Sequence, residues 1–140
     1  MVNILDSSVA EEAQRRLSKY DDLLRAVWSE LEKLSHMYSS NTESKLWIRV
    51  NPNTREGQEV LKWTIFCCVE ELFELANALK NRPWVKSEYV VDVNRLYDEL
   101  ADAMLFILLL AHQLGLNPDS LADVLMRKVV VNEFRIRSKY

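Results

Sequence analysis

Apolar residues recur along this chain mostly at three- and four-residue steps, the spacing of helices that each turn a face towards a core. The first run, Leu17, Leu24, Trp28, Leu31, Leu34 and Tyr38, predicts a helix over 6–38. It opens at Asp6, Ser7 and Ser8, whose side-chain oxygens suit an N-cap. Residues 39–57 hold turn-formers and Pro52 and predict a loop, with a short extended piece at 46–50. A second helix is predicted over 58–81, stopping before Pro83, and RPWVKSEYV reads as a connection. Asp92 offers a cap for a third helix running to Gly115, a residue suited to the left-handed position past a helix end. Asn117 then caps a fourth helix with Pro118 at its first position, continuing to about 137.

The predicted fold is therefore all-α and four-helix-bundle-like. With no repeat, low-complexity tract or linker in 140 residues, one domain over 1–140 is expected. The second and third helices are apolar over more than one stripe. Such helices need cover on several sides, so a homo-oligomer is expected, most simply a homodimer.

Composition narrows the picture. Two glycines and three prolines leave little punctuation, which favours long helices. A net charge of −3 argues against a nucleic-acid partner, since such proteins normally present a basic face. Cys67 and Cys68 are neighbours, about 100° apart on a helix, and read as two small apolar residues in a reducing compartment. The amino-terminal MVNILDSS lacks a basic stretch followed by an apolar run, so no secretion signal is read there. The most apolar window, AMLFILLLA, is far shorter than the ~20 residues a membrane span needs. A cytoplasmic protein without a membrane partner is expected.

Against that background the acidic residues stand out. VEELFELANALK plants Glu70, Glu71 and Glu74 in an apolar helix, and DELADAML adds Glu99 and Asp102 on the next. Glu74 neighbours both Glu70 and Glu71 on one side of its helix, while Glu99 and Asp102 are three apart. If the two helices pack antiparallel, as a short connection suggests, five carboxylates converge. Two like charges ~4 Å apart at an effective dielectric of ~20 repel by about 4 kcal/mol. Either the carboxyl pKa values rise or cations sit between them. Hard divalent ions suit an all-oxygen set, and Mg²⁺ is the usual choice where phosphates complete the shell. A di-iron bundle needs Glu-x-x-His pairs. Lys33 and Leu109 stand three residues before His36 and His112, so neither histidine completes that motif. Both read as surface or core-edge residues.

A second group lies near the end of the chain. Lys128, Asn132 and Arg135 fall at i, i+4 and i+7 on one helix face. Two cations and an amide suit phosphate oxygens and a neutral polar group. Four tryptophans are available for stacking on a base. Trp28 and Trp63 read as core, leaving Trp47 and Trp84.

EELFE followed by DELAD resembles the all-alpha nucleoside triphosphate pyrophosphohydrolases, the MazG-like group. The ending KVVVNEFRIRSKY looks like the tail of its branch of dimeric dUTPases and bacteriophage dCTP pyrophosphatase/dUTPases. The likeness covers about 63–140. It implies that Glu71, Glu74, Glu99 and Asp102 ligate Mg²⁺, with Mn²⁺ as a substitute. Glu70 would be a further ligand or orient the attacking water, placing Glu70 and Glu71 at the catalytic step. Lys128, Asn132 and Arg135 would contact phosphates or sugar, Trp84 would lie near the nucleotide, and Tyr140 would close on it. The tail departs from the family pattern at Ile136 and Lys139, where glutamine and glycine are usual. The implied reaction is hydrolysis of a nucleoside triphosphate, dUTP or dCTP first, to the monophosphate and pyrophosphate. A noncatalytic nucleotide-sensing or helical interaction module derived from the same fold is the alternative.

Overall fold

The computed structural model describes residues 7, 11, 12, 15, 16, 18, 19, 21–42, 45–79, 81, 83, 84, 86 and 90–137. Among these the chain is all-helical, with α1 at Leu23–Asn41, α2 at Arg55–Ala78, α3 at Val93–Gln113 and α4 at Pro118–Arg137. No described residue is in a strand, so the extended piece predicted at 46–50 pairs with nothing as a sheet.

Local chemistry accounts for each boundary. The first helix does not run unbroken from the amino terminus. Residues 7, 11, 12, 15 and 16 are helical, but 18 and 19 form a turn, and Asp22 starts α1 by accepting the Arg25 N–H at 3.0 Å. The predicted caps Asp6 and Ser8 lie outside the described residues. At its other end α1 passes the predicted stop at Tyr38. There the hydroxyls of Ser39 and Ser40 donate to the carbonyls of Ser35 and His36, each at 2.9 Å, within a helix that continues to Asn41.

Thr54 caps α2 by accepting the Gly57 N–H at 3.1 Å, so the helix begins at Arg55, three residues before the predicted start. Asp92 caps α3 as expected, accepting from Asn94 and Arg95. Gly115, at φ +88°, ends it. Its N–H donates to His112 O and that of Leu116 to Ala111 O, the paired bonds of a Schellman motif. Asn117 and Ser120 exchange backbone N–H bonds with each other's side chains, a reciprocal cap before α4.

α2 and α3 form an antiparallel hairpin. Thr64 bonds Gln113, Cys68 reaches Ala103, and Glu71 meets Glu99 and Asp102, so positions rise on one helix as they fall on the other. Gln113, buried at the end of α3, fixes the register. Its Oε1 accepts from the Thr64 hydroxyl at 2.8 Å, its Nε2 donates to Leu46 O at 3.2 Å, and its own carbonyl accepts the Val50 N–H at 2.9 Å. The 39–57 loop is thereby pinned to the hairpin, and every polar group of that amide is used.

The core gathers Trp28 and Leu31 of α1, Trp47 of the loop, Leu108, Leu109 and Ala111 of α3, and Leu121 of α4. Trp47 stacks on His112 with centroids 3.8 Å apart and meets Trp28 edge-on at 5.8 Å. His112 is thus a core-edge histidine, as its sequence context implies. α4 leaves α3 at 105° rather than running back along it. After Leu121 all its described residues are exposed, so α4 does not close an up-and-down bundle with α1–α3 among the described residues. Among the described residues no single helix is long and apolar enough to cross a membrane.

Candidate metal centre

Small residues let α2 and α3 approach where the acids lie. Ala103 is 1% exposed, and the Cys68 thiol donates to its carbonyl at 3.6 Å. One turn along α2 stands Glu71; on α3, Glu99 and Asp102 flank the same level. One carboxylate oxygen from each of these three lies within 4.8 Å of the others. Glu71 and Glu99 are half-buried and Asp102 is exposed, so the group opens to solvent on one side.

Crowding the acids together has an electrostatic cost. Burial first, then the charges of Asp102, Glu74, Glu99 and Glu70, raise the Glu71 carboxyl above the ordinary range. Burial, then Asp98, Glu99 and Glu74, raise Asp102. Arg95 Nε donates to Glu99 Oε1 at 3.3 Å. Three oxygen donors with unfavourable mutual repulsion fit a hard divalent ion, Mg²⁺ or Mn²⁺, better than a soft or redox metal.

Of the five predicted acids, then, three converge. Glu74 acts on Glu71 and Asp102 by its charge but stands outside the group, and Glu70 lies on the exposed side of α2. Glu70, Glu71 and Glu74 share a 100° arc of α2, and of the three only Glu71 brings an oxygen within reach of both Glu99 and Asp102. Asp98, four residues before Asp102, adds a charge that the sequence reading passed over.

The cluster borders a cavity of about 470 Å³ between α1, α2 and α3. Glu71 and Asp102 supply its acidic wall, and Tyr38, Trp63, Cys67 and Phe106 are among its apolar lining. Trp63 is therefore not core; it is 67% exposed and forms part of this rim. Cys67 faces the cavity, where burial pushes its thiol pKa up and makes it a poor nucleophile. The aromatic residues around the cavity come from separate helices, which is why no short window of sequence exposes them.

Of the remaining predicted contacts, those described do not line the cavity. Lys128, Asn132 and Arg135 lie on the exposed length of α4, and none of them lines the cavity. Trp84 is 80% exposed in the connection after α2 and also stands apart from it. Tyr140 lies outside the described residues.

Compared with known proteins, the chain matches no family model, no curated protein and no solved structure.

Proposed function

We propose that the chain is a Mg²⁺-dependent nucleoside triphosphate pyrophosphohydrolase, releasing pyrophosphate and a monophosphate from a pyrimidine deoxynucleotide such as dUTP or dCTP. The observation that carries this reading is the meeting of Glu71, Glu99 and Asp102 at the edge of a cavity of ligand size. These three side chains would hold the metal, with Glu74 adding negative charge beside them. A bound Mg²⁺ supplies neutralisation of the triphosphate and a lowered pKa for water.

The chain's own part is positioning, which is most of what phosphoryl transfer asks of a protein. The cavity takes the nucleoside against Trp63, Tyr38 and Phe106 and excludes water from it. On the family resemblance alone, Glu70 would orient the attacking water. The choice of dUTP and dCTP, and of pyrophosphate as the leaving product, rests on the family resemblance of EELFE, DELAD and the tail.

One observation favours the noncatalytic alternative. The cations Lys128 and Arg135, which the tail resemblance assigns to the phosphates, lie on the exposed length of α4 and do not line the cavity. A nucleotide sensor or helical interaction module needs no such convergence.

The test is pyrophosphate release from a panel of common and modified nucleoside triphosphates with Mg²⁺, repeated on Glu71→Gln. Turnover of a pyrimidine deoxynucleotide that falls about a hundredfold or more in the variant is expected, the scale of losing one charge-stabilising group. Mg²⁺-dependent nucleotide binding without turnover, by protein shown to be folded, selects the sensor.

A further inference from the structure

A metal at the mouth of the cavity between α1, α2 and α3 leaves two of its features without a role. The first is the wall, which beyond the acids is mainly apolar and aromatic, with Leu34, Leu105 and Leu109 beside Tyr38, Trp63 and Phe106. The second is Ser35. It is 2% exposed and lines the cavity, and its hydroxyl makes no hydrogen bond among the described residues. Buried polar groups are normally paired, so this hydroxyl is left for whatever fills the space. Thr64 is not, since its hydroxyl is held by Gln113 at 2.8 Å.

Bonds tie Ser35 to the end of the cavity away from the acids. The Ser39 hydroxyl donates to Ser35 O at 2.9 Å and accepts the Leu46 N–H at 3.4 Å. Leu46 is held in turn by Gln113, the partner of Thr64. Thr64 stands two turns before Glu71 on α2, about 10 Å at 1.5 Å per residue. The space therefore has an acidic end, an aromatic middle and one free hydroxyl on the Thr64 side.

The acidic end is spaced for a particular head group. A primary ammonium carries three donors. Three acceptors about 2.8 Å from a tetrahedral nitrogen stand about 4.6 Å from one another. One oxygen each from Glu71, Glu99 and Asp102 lies within 4.8 Å of the others, one acceptor for each donor. Arg95 takes one acceptor position of Glu99 and leaves the rest of that carboxylate. Aromatic walls favour a cationic ligand, and no lysine, arginine or histidine among the described residues lines the cavity to oppose one. Its volume, about 470 Å³, is that of a small-molecule site.

We propose that this cavity binds an organic primary ammonium ion with an aromatic or alkyl body. Glu71, Glu99 and Asp102 hold the nitrogen, Tyr38, Trp63 and Phe106 pack on the body, and a hydrogen-bonding group at its far end meets Ser35. Such a ligand needs neither metal nor phosphate, so the site stands apart from the nucleotide reading. It competes with Mg²⁺ for the same carboxylates.

The experiment is calorimetric titration of the full chain, in chelator at low salt, with 4-(4-hydroxyphenyl)butylammonium. Three comparison probes each lack one feature: 4-phenylbutylammonium the phenol, 4-(4-hydroxyphenyl)butan-1-ol the charge, and ethylammonium the body. The first ion should bind at least about tenfold more tightly than the alcohol, the scale of a charged hydrogen bond, and ethylammonium should not saturate. Glu71→Gln should close the gap between ion and alcohol. Ser35→Ala should close the gap between the hydroxyphenyl and phenyl ions. Mg²⁺ in place of chelator should weaken binding of both. Circular dichroism checks that each variant is folded, and if Glu71→Gln is not, Asp102→Asn decides. Equal affinity for ion and alcohol overturns the proposal, as does a gap that the carboxylate variant leaves intact. So does a phenol preference absent from wild type or unchanged in Ser35→Ala, ethylammonium binding as tightly as the larger ions, or no saturable binding at all. Ammonium binding without nucleotide turnover strikes the pyrophosphohydrolase reading alone.

Discussion

Asp102 is the most exposed member of the acidic trio, yet burial and the charges of Asp98, Glu99 and Glu74 raise its carboxyl pKa. The folded, metal-free protein therefore holds this group in a form it disfavours at neutral pH. Replacing it by the uncharged isostere in Asp102→Asn removes one source of repulsion. The expected outcome is a higher Tm than wild type without metal, read by differential scanning calorimetry in chelator. Adding Mg²⁺ should reverse the order. An ion at a hundred times its Kd stabilises the wild type by about 2.7 kcal/mol, and the variant, with a ligand lost, should gain much less. Equal shifts in both proteins would remove Asp102 from the metal site. Spacing alone marked the acidic positions, but not which would face one another. That depends on the angle at which each leaves its helix and on the neighbour it meets.

Elements, in contrast, are bounded by contacts a few residues long. Asp92, Asn117 and Gly115 act where the sequence places them, because a cap needs only the next three or four backbone groups. Where a boundary moved, a nearer cap acts: Thr54 sets the start of α2 ahead of Gln58, and Asp22 sets the start of α1 at Leu23. The Thr54 start also constrains Gly57. A Cβ there would sit 2.0 Å from the Asn51 carbonyl oxygen and 2.9 Å from Thr54 Oγ1. Alanine in place of glycine inside a helix ordinarily gains about 1 kcal/mol. Here the clash is with backbone, which cannot swing aside. Gly57→Ala is expected to be destabilising by about 1–3 kcal/mol, the usual cost of overpacking, in urea unfolding. A neutral or stabilising result would show that the turn at 51–54 relaxes freely.

At the scale of the whole molecule, the junction of α1, α3 and the loop is sensitive to pH through His112. Burial, followed by the charge of Arg49, lowers its pKa, and its ring stacks on Trp47. The folded state thus binds fewer protons than the unfolded chain below the ordinary histidine value of about 6.5. This contribution to stability is complete above that pH and is lost as pH falls through it towards the folded-state pKa. Glu71 and Asp102, with raised pKa values, work in the opposite sense, so the comparison is with His112→Phe, which keeps an aromatic ring beside Trp47. The stability difference between wild type and variant should shift against the wild type on acidification below about 6.5, by urea unfolding at a series of pH values. A difference independent of pH would place the imidazole in solvent.

By itself the amino-acid sequence determined the all-helical character, the caps, the left-handed glycine and the presence of acids on two apolar helices. All of these rest on the helical period and on interactions within one turn. Tertiary structure alone decided that Glu71, Glu99 and Asp102 meet while Glu70 and Glu74 do not, that Trp63 faces a cavity, and that α4 swings away at 105°. The meeting of the acids follows from how closely Cys68 and Ala103 let two helices approach and from the register Gln113 imposes on Thr64 and Leu46. Such contacts join residues 35 to 67 positions apart, a separation over which local periodicity carries no information.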